Sequence, residues 1–547
     1  MKKIRYSLFF LSLTCISIAS SCNNLLDEDI RSQTADSYAN TPAGFESVVN
    51  ASYSHMRTFY GAERGSALTV FGTDEFTHGS DGGLKSMNMY DGGLSPRLGA
   101  VRETWDNMYI AINNCNMAIS RAEMVEGLDE NTKTTRVAEV RYLRAFYYFL
   151  LVQTWGPVHI NLEETQGVVL EARRSPVEDV YQVIVDDLNF AIENLPTKQT
   201  DYGRATKGAA EFLSAKVYLT RATSGAAEND DYSTAVQFAK NVIENYDYEL
   251  LENYADIFAI GPGEINNEVV WAVQYSPDIL TAGDGNKNHL YFLMEYDILP
   301  GMQRDIENGR PFKRYRPTNF VINELFDKEA DTRYKDSFKW VFYCNKPGTY
   351  TIRGQEITLN VGDTAIYMSD RNLTPEELAK RKYTVFTPAT FDERRFLTLS
   401  KFLDPTRVDV STERGHRDFL VFRLSEAYLI AAEGLLMSGR ATEAVPYINT
   451  IRQRAAIEGM ESQMEISVSD LDIDFILDER ARELLGEHVR WFDLVRTGKL
   501  VERVKKYNPQ GATGIQEYHK LRPIPGQQID RTEGGQEAFP QNPGYEQ

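Results

Sequence analysis

Between residues 104 and 121, apolar side chains fall at Met108, Ile112, Cys115 and Ile119. Steps of four, three and four keep one face of a helix apolar. Val137, Val140, Arg144, Tyr147 and Leu151 carry the period through the next segment, which stops at Gly156 and Pro157. The two read as a helical hairpin. Residues 176–195 predict a third helix, with a proline in its first turn and Val180, Ile184, Leu188 and Ile192 four apart. Residues 207–221 and 231–246 add two more. Small Ala209, Ala210 and Ala215 on the first allow close approach of Ala235, Phe238 and Ala239 on the second, a tetratricopeptide-like arrangement. The pattern returns at 424–437 and 441–454, where Ala444 stands as Ala235 does, 209 residues earlier. That distance excludes a contiguous array of ~34-residue repeats.

Residues 260–420 interrupt the helices. They are rich in Gly, Pro and Asn, and the alternation at Thr349, Tyr350, Thr351 and Ile352, followed by residues 356–360, predicts a β-hairpin. Long irregular stretches inside a folded chain usually carry function, because contacts must offset the entropy of ordering them. The ligand-facing surface is therefore expected here and in the similarly Gly-rich residues 60–97. The mature chain divides into a tether (22–40), an N-terminal helical part (41–259), the insertion (260–420) and a C-terminal helical part (421–547).

The 547 residues suffice for a large core, and 42% apolar residues exclude a disordered chain. With 59 Lys and Arg against 79 Asp and Glu the net charge is −20. A field of that sign opposes binding to nucleic acid or anionic lipid. The 30 tyrosines stand out, because a buried phenol needs a hydrogen-bond partner; some should face ligands or polar seams. At the amino terminus, Lys2, Lys3 and Arg5 precede a largely apolar stretch of 12 residues, 8–19, too short for a bilayer that needs ~20. This is a secretory signal, residues 1–21. Ala19, Ser20 and Ser21 lead into Cys22, the arrangement of a lipoprotein signal, with Ala19 where a Leu is usual. Cys22 is read as the acylated first residue, although ordinary signal cleavage would use the same small residues. Attachment to a membrane through lipid alone follows, with a mature charge of 56 − 79 = −23. Cys115 and Cys344 remain, too few for a disulfide framework and without metal-ligand spacing; they read as buried free thiols.

No nucleophile elbow, phosphate loop, dinucleotide fingerprint or zinc-protease motif is present, and the seven histidines are scattered. No cofactor is called for. Asp284, Asn286, Asn288 and Glu295 fall at positions 1, 3, 5 and 12 of a calcium loop, a weak match because position 6 is His289 and not Gly. Asp478, Glu479, Arg480, Arg482, Glu483, Glu487 and Arg490 pack seven charges into 13 residues at helical spacing, which predicts a structural ion-pair ladder between helices.

Several ordered fragments then carry a resemblance. Trp105 with Tyr109 and Asn116, residues 138–149 with Gly156-Pro157, Gly203-Arg204-Ala205-Thr206-Lys207, Pro300-Gly301-Met302, Lys401-Phe402-Leu403-Asp404-Pro405, Arg423-Leu424-Ser425-Glu426, Glu479-Arg480, Arg490-Trp491-Phe492-Asp493-Leu494, Pro523-Ile524-Pro525 and Asn542-Pro543-Gly544-Tyr545 together resemble the SusD/RagB family of Bacteroidetes outer-membrane lipoproteins. The acidic run Asp27, Glu28, Asp29 resembles the tag such lipoproteins carry when sent to the outer face of the outer membrane. The resemblance implies a mainly α superhelix of tetratricopeptide-like pairs with a loop-rich insertion, a non-catalytic glycan-capturing role, and a SusC-like TonB-dependent barrel as partner. Some members of the family serve peptide uptake, so peptide capture is the alternative, and a surface hydrolase a more distant one. Ligand contacts vary within the family and are not carried over. A sugar has an apolar C–H face and a rim of hydroxyls, so aromatic rings with planar polar groups are expected around it. The candidates are Tyr90, Tyr275, Tyr291, Tyr296 and Trp340, with Asp74, His78 and Asn288. Trp105, Trp155 and Trp491 read as core, and Trp271 as either.

Overall fold

Thr41 accepts the Gly44 N–H at 3.1 Å and so starts helix α1 (Pro42–Ser54), with Pro42 in the first turn where no hydrogen bond is forfeited. The structure, a computed structural model, describes residues 35–546. The signal segment, Cys22 and most of the tether lie outside the described residues. The predicted hairpin is α2 (Gly99–Arg121) and α3 (Glu130–Trp155). Asp129 sets the start of α3, one turn and more before the first periodic residue, by accepting the Thr132 N–H at 2.9 Å. Then come α4 (Val177–Asn194), α5 (Lys207–Arg221), α6 (Asp231–Glu244), α7 (Leu424–Met437) and α8 (Ala441–Arg454), followed by α9 (Ile473–Glu483) and α10 (Arg490–Arg496).

Each helix from α2 to α8 packs against the next. That includes α6 and α7, which the insertion separates in sequence. Their contact is close at Gly434, where a Cβ would stand 2.6 Å from the Val236 side chain and 3.0 Å from the Tyr232 carbonyl. The superhelix is therefore continuous in space.

Strands are short: β1 (Phe76–His78), β2 (Val269–Val273), β3 (Tyr315–Pro317), β4 (Val341–Tyr343), β5 (Gly348–Ile352), β6 (Gln355–Leu359), β7 (Thr364–Met368), β8 (Thr384–Phe386) and β9 (Phe419–Arg423). The predicted hairpin is β5–β6, in register from Gly348 opposite Leu359 to Ile352 opposite Gln355. β7 pairs antiparallel with β4 and parallel with β8. β2 and β9, at the entry to and exit from the insertion, pair antiparallel with each other. The insertion is thus a closed excursion, and most of its buried apolar residues belong to the same hydrophobic core as the helices. Much of residues 60–97 is interior: Leu68, Val70, Phe71, Phe76 and Met87 are buried in that core. Gly here lets backbone thread the interior, as at Gly72, where φ is +76° and a Cβ would lie 2.6 Å from the Met87 carbonyl.

Trp105, Trp155 and Trp491 are buried, and Trp271 joins them, its ring among Tyr142, Phe146 and Phe422. Cys115 and Cys344 are free and buried.

The charged run of α9 forms a buried network larger than a ladder. Glu483 accepts from Arg333 and Arg423 at 3.0 Å each and from Arg454 at 2.5 Å. Glu479 accepts from Arg333, Arg452 and Arg482 at 2.8–2.9 Å. Glu268 takes Arg423 and Arg454, and Glu487 takes Arg423 and Lys401. Burial alone would raise the carboxyls of Glu479 and Glu483, but the guanidiniums around them hold both well below the usual carboxylate range.

Replacing Glu483 with Gln leaves three buried guanidiniums short of a counter-charge and is expected to cost about 3–5 kcal/mol in urea unfolding. Gly434→Ala forces α6 and α7 apart and is expected to cost about 1–3 kcal/mol. Because the folded carboxyls lie below their unfolded values of about 4.3, their stabilisation is complete above that pH and lost as pH falls through and below it. Acid titration of the wild type should show this loss, and Glu483→Gln should flatten it.

Candidate ligand-binding site

The structure places most of the predicted ligand residues in the interior. Asp74 is buried between Arg490, 2.6 and 2.7 Å away, and Arg503, at 2.6 Å. Burial pushes its carboxyl up, and the two guanidiniums more than reverse that. The phenols of Tyr90 and Tyr296 donate to the carbonyls of Gly72 and Gly309 at 2.7 and 2.6 Å, and that of Tyr275 to the Tyr60 carbonyl. Tyr291 is buried under the Arg314 guanidinium, 5.5 Å from its ring. Asn288 is buried and accepts from the Ser66 hydroxyl at 3.0 Å. Trp340 is partly buried against Tyr334, its indole N–H donating to the Lys335 carbonyl at 2.9 Å. These rings do not converge on a ligand. For Tyr90, Tyr275 and Tyr296 the reason is shared: irregular backbone leaves buried carbonyls that need donors, and phenols supply them.

The calcium loop is also corrected. Glu295 is paired with Arg395 and with Lys313, 3.7 Å away. Asn286 donates its amide to the Arg417 carbonyl at 2.8 Å and accepts the Asn288 N–H at 3.0 Å. The side-chain oxygens of Asn286, Asn288 and Glu295 are already committed, which leaves only Asp284 of the four to a cation. Ser66 Oγ lies 3.0 Å from His488 Nε2, but both are buried, His488 Nδ1 has no partner, and burial lowers His488 to about 3. A base that weak and inaccessible is a polar link in the core, not an activated nucleophile pair.

His78 is different. It ends β1, which pairs antiparallel with β3 so that Thr77 faces Arg316 and His78 faces Tyr315. The pairing continues past the strand: Gly79 N–H donates to the Arg314 carbonyl at 2.9 Å, and Ser80 N–H to the Glu393 carbonyl at 2.8 Å. The 60–97 segment and the insertion thus meet here. The Glu393 carboxylate lies 3.2 Å from Gln510 Nε2 and 3.8 Å from His78 Nδ1, the second too long for a hydrogen bond. Thr77 donates to the other side of the Gln510 amide, which fixes its orientation. Arg316 is lowered by burial, while Glu393 and Asp392 pull it back, and its Nε has no partner. Ser80 Oγ has none either. Phe312 and Phe391 are half-buried on the adjoining segments. The Glu393 carboxylate, the Arg316 guanidinium and the Ser80 hydroxyl lie on the segments that meet here, and Arg316 Nε and Ser80 Oγ have no partner, groups of the kind that suit a ligand's hydroxyls. Arg316, Glu393, Ser80 and Gln510 carry no local sequence signal, because strand pairing across more than 200 residues assembles them.

Comparison with known proteins completes the description. Residues 227–545 match the model of the SusD family, and residues 28–219 match a model described as "Starch-binding associating with outer membrane". SusD-like protein P2 of Formosa agariphila is 26% identical over the full length of both chains. The starch-binding protein SusD of Bacteroides thetaiotaomicron is 24% identical over 77% of this chain and 75% of its own. Among solved structures, a laminarin-binding SusD-like protein superposes with a TM-score of 0.70 at 22% identity, covering 92% of this chain and all of its own. Surface glycan-binding protein A from Bacteroides thetaiotaomicron in complex with laminarihexaose does so with a TM-score of 0.67 at 21% identity, covering 92% and 99%. Among the described residues no helix is long and apolar enough to cross a membrane. The fold is that of these structures, and the family match spans more than half of the sequence: the chain belongs to the SusD family.

Proposed function

We propose that the protein is a lipid-anchored binding protein of the outer-membrane surface, which captures an oligosaccharide at the His78–Glu393 junction and passes it unaltered to a SusC-like TonB-dependent barrel. The observation that carries this reading is the unspent bonding capacity at the junction, where the buried Arg316 Nε and Ser80 Oγ lack partners beside a carboxylate that His78 does not reach. A hydroxyl-rich ligand satisfies all of these groups at once, because each sugar hydroxyl both donates and accepts. The starch-binding and laminarin-binding relatives support the ligand class. The anchor rests on Cys22 and the signal before it.

A glycan array run beside a peptide panel, followed by calorimetry, tests the reading. Arg316→Ala and Glu393→Gln should each weaken binding about tenfold or more, the loss of a charge-assisted hydrogen bond worth about 1.5–3 kcal/mol, with the thermal midpoint unchanged. Retention of peptides in place of glycans would overturn the ligand class. Shortened oligosaccharides appearing with the purified protein would overturn the non-catalytic role.

A further inference from the structure

Away from the junction, a cleft of about 840 Å³ opens between α1, the 200–204 loop and β2. A second, of about 520 Å³, continues on the other side of that loop, and Asp201, Tyr202, Gly203, Arg204, Trp271 and Ala272 line both. The loop between them is fixed. Trp271 Nε1 donates to the Gly203 carbonyl at 2.9 Å, Ala205 N–H donates to the Tyr53 hydroxyl at 2.9 Å, and Arg204 is paired with Glu139, Glu46 and Asp201. Gly203 has φ +88°, and the Gln274 side chain lies 2.7 Å from where a Cβ would be, so the amide of Gln274 is seated against the loop. A cleft with walls held this way needs little ordering when a ligand enters.

The chemistry of the lining selects the ligand. Its charges are already neutralised or engaged: Arg204 as above, Lys198 by Asp247 at 2.6 Å, and Arg57 on the carbonyls of Gln274 and Thr281 at 2.8 and 2.5 Å. What remains is neutral. The Tyr202 hydroxyl is buried without a partner, and the Gln274 amide and Thr200 hydroxyl have none among the described residues. Tyr246 and Tyr248 add half-buried rings on the far side, their centroids 5.7 Å apart. The main-chain carbonyls of Gly203, Gln274 and Thr281 are taken, which leaves recognition there to side-chain groups. Neutral hydroxyls and C–H faces match what is left.

We propose that this double cleft is a second binding site for a neutral oligosaccharide, independent of the junction. The proposal rests on the reading of the protein as a glycan binder. Two sites on one rigid body would hold a long chain by both ends more tightly than either holds a short one, provided the chain spans them.

The test is calorimetric stoichiometry with maltohexaose, laminarihexaose, cellohexaose, mannohexaose and xylohexaose on the full mature chain. Two molecules of at least one hexasaccharide should bind each protein. Combining Tyr202→Ala with Gln274→Ala should leave one, with the thermal midpoint unchanged. Tyr202→Phe alone, which keeps the ring and the fold, should weaken the second event several-fold. Arg316→Ala should remove the other event and spare this one. One molecule bound, lost with Arg316→Ala and indifferent to both cleft variants, would overturn the second site and leave the junction standing. Failure of every hexasaccharide to bind would overturn both. Displacement of the cleft-bound sugar by an extended alanine-rich peptide would overturn the ligand class assigned to the cleft.

Discussion

Glu483 accepts from three guanidiniums that reach it from different parts of the chain: Arg333 in the insertion, Arg423 at its exit strand and Arg454 on α8. Taking that many charges out of water is costly, and attraction repays it only where each charge has several well-placed partners. Here Arg333 also holds Glu479 and Asp331, while Arg423 also holds Glu268 and Glu487. The network therefore specifies one position of the insertion against the helices, since displacement of either strands charges on both. Apolar packing alone would tolerate sliding more readily. The second buried set, Asp74 with Arg490 and Arg503, does the same for the segment that leads into β1. The junction depends on these placements, because the segments that form it are those the networks hold.

The tyrosines complete the division of labour. An irregular segment that enters the core brings carbonyls with it, and these cannot be left without donors. Tyr147 donates to the Ser52 carbonyl at 2.6 Å, Tyr148 to that of Asn161 at 2.8 Å, Tyr254 to that of Glu483 at 2.9 Å and Tyr545 to that of Leu521 at 2.7 Å. The abundance of Tyr thus reflects polar seams between loops and helices. Tyr90, Tyr275 and Tyr296, which lie in loops, are used in the same way: a loop that is buried uses its phenols on itself.

The helices were legible in the sequence because their cause is local. Apolar spacing of three and four marks α4, α5, α7 and α8 to within a residue of their ends, and the alternation at 349–360 marks the β5–β6 hairpin. The charged run of α9 was readable as structural, yet its partners were not, since Arg333 and Glu268 lie far away in sequence. The site shows the same limit more sharply. Of the eight ligand candidates only His78 stands in the junction, and its companions Arg316, Glu393 and Gln510 come from three stretches that share no motif. Periodicity encodes which face of an element is buried. It does not encode which distant element covers it.

The pairing of β2 with β9 gives the insertion a particular freedom. Once its two ends are hydrogen-bonded to each other, the entropy of closing the excursion grows only logarithmically with its length, about 0.6 kcal/mol per doubling. Arg333 and Lys401 reach from it back into the buried network, and its apolar side chains share the core of the helices. Ligand-facing loops can differ in length and composition while α2 to α8 keep their stacking, provided those tethers persist. The cleft beside Tyr202 stands on the other side of this boundary. Its walls are α1, the loop before α5 and β2, all fixed by scaffold contacts such as Trp271 to Gly203. A ligand held there meets walls fixed by the helices, and one held at the junction meets Arg316 and Glu393, which the insertion supplies.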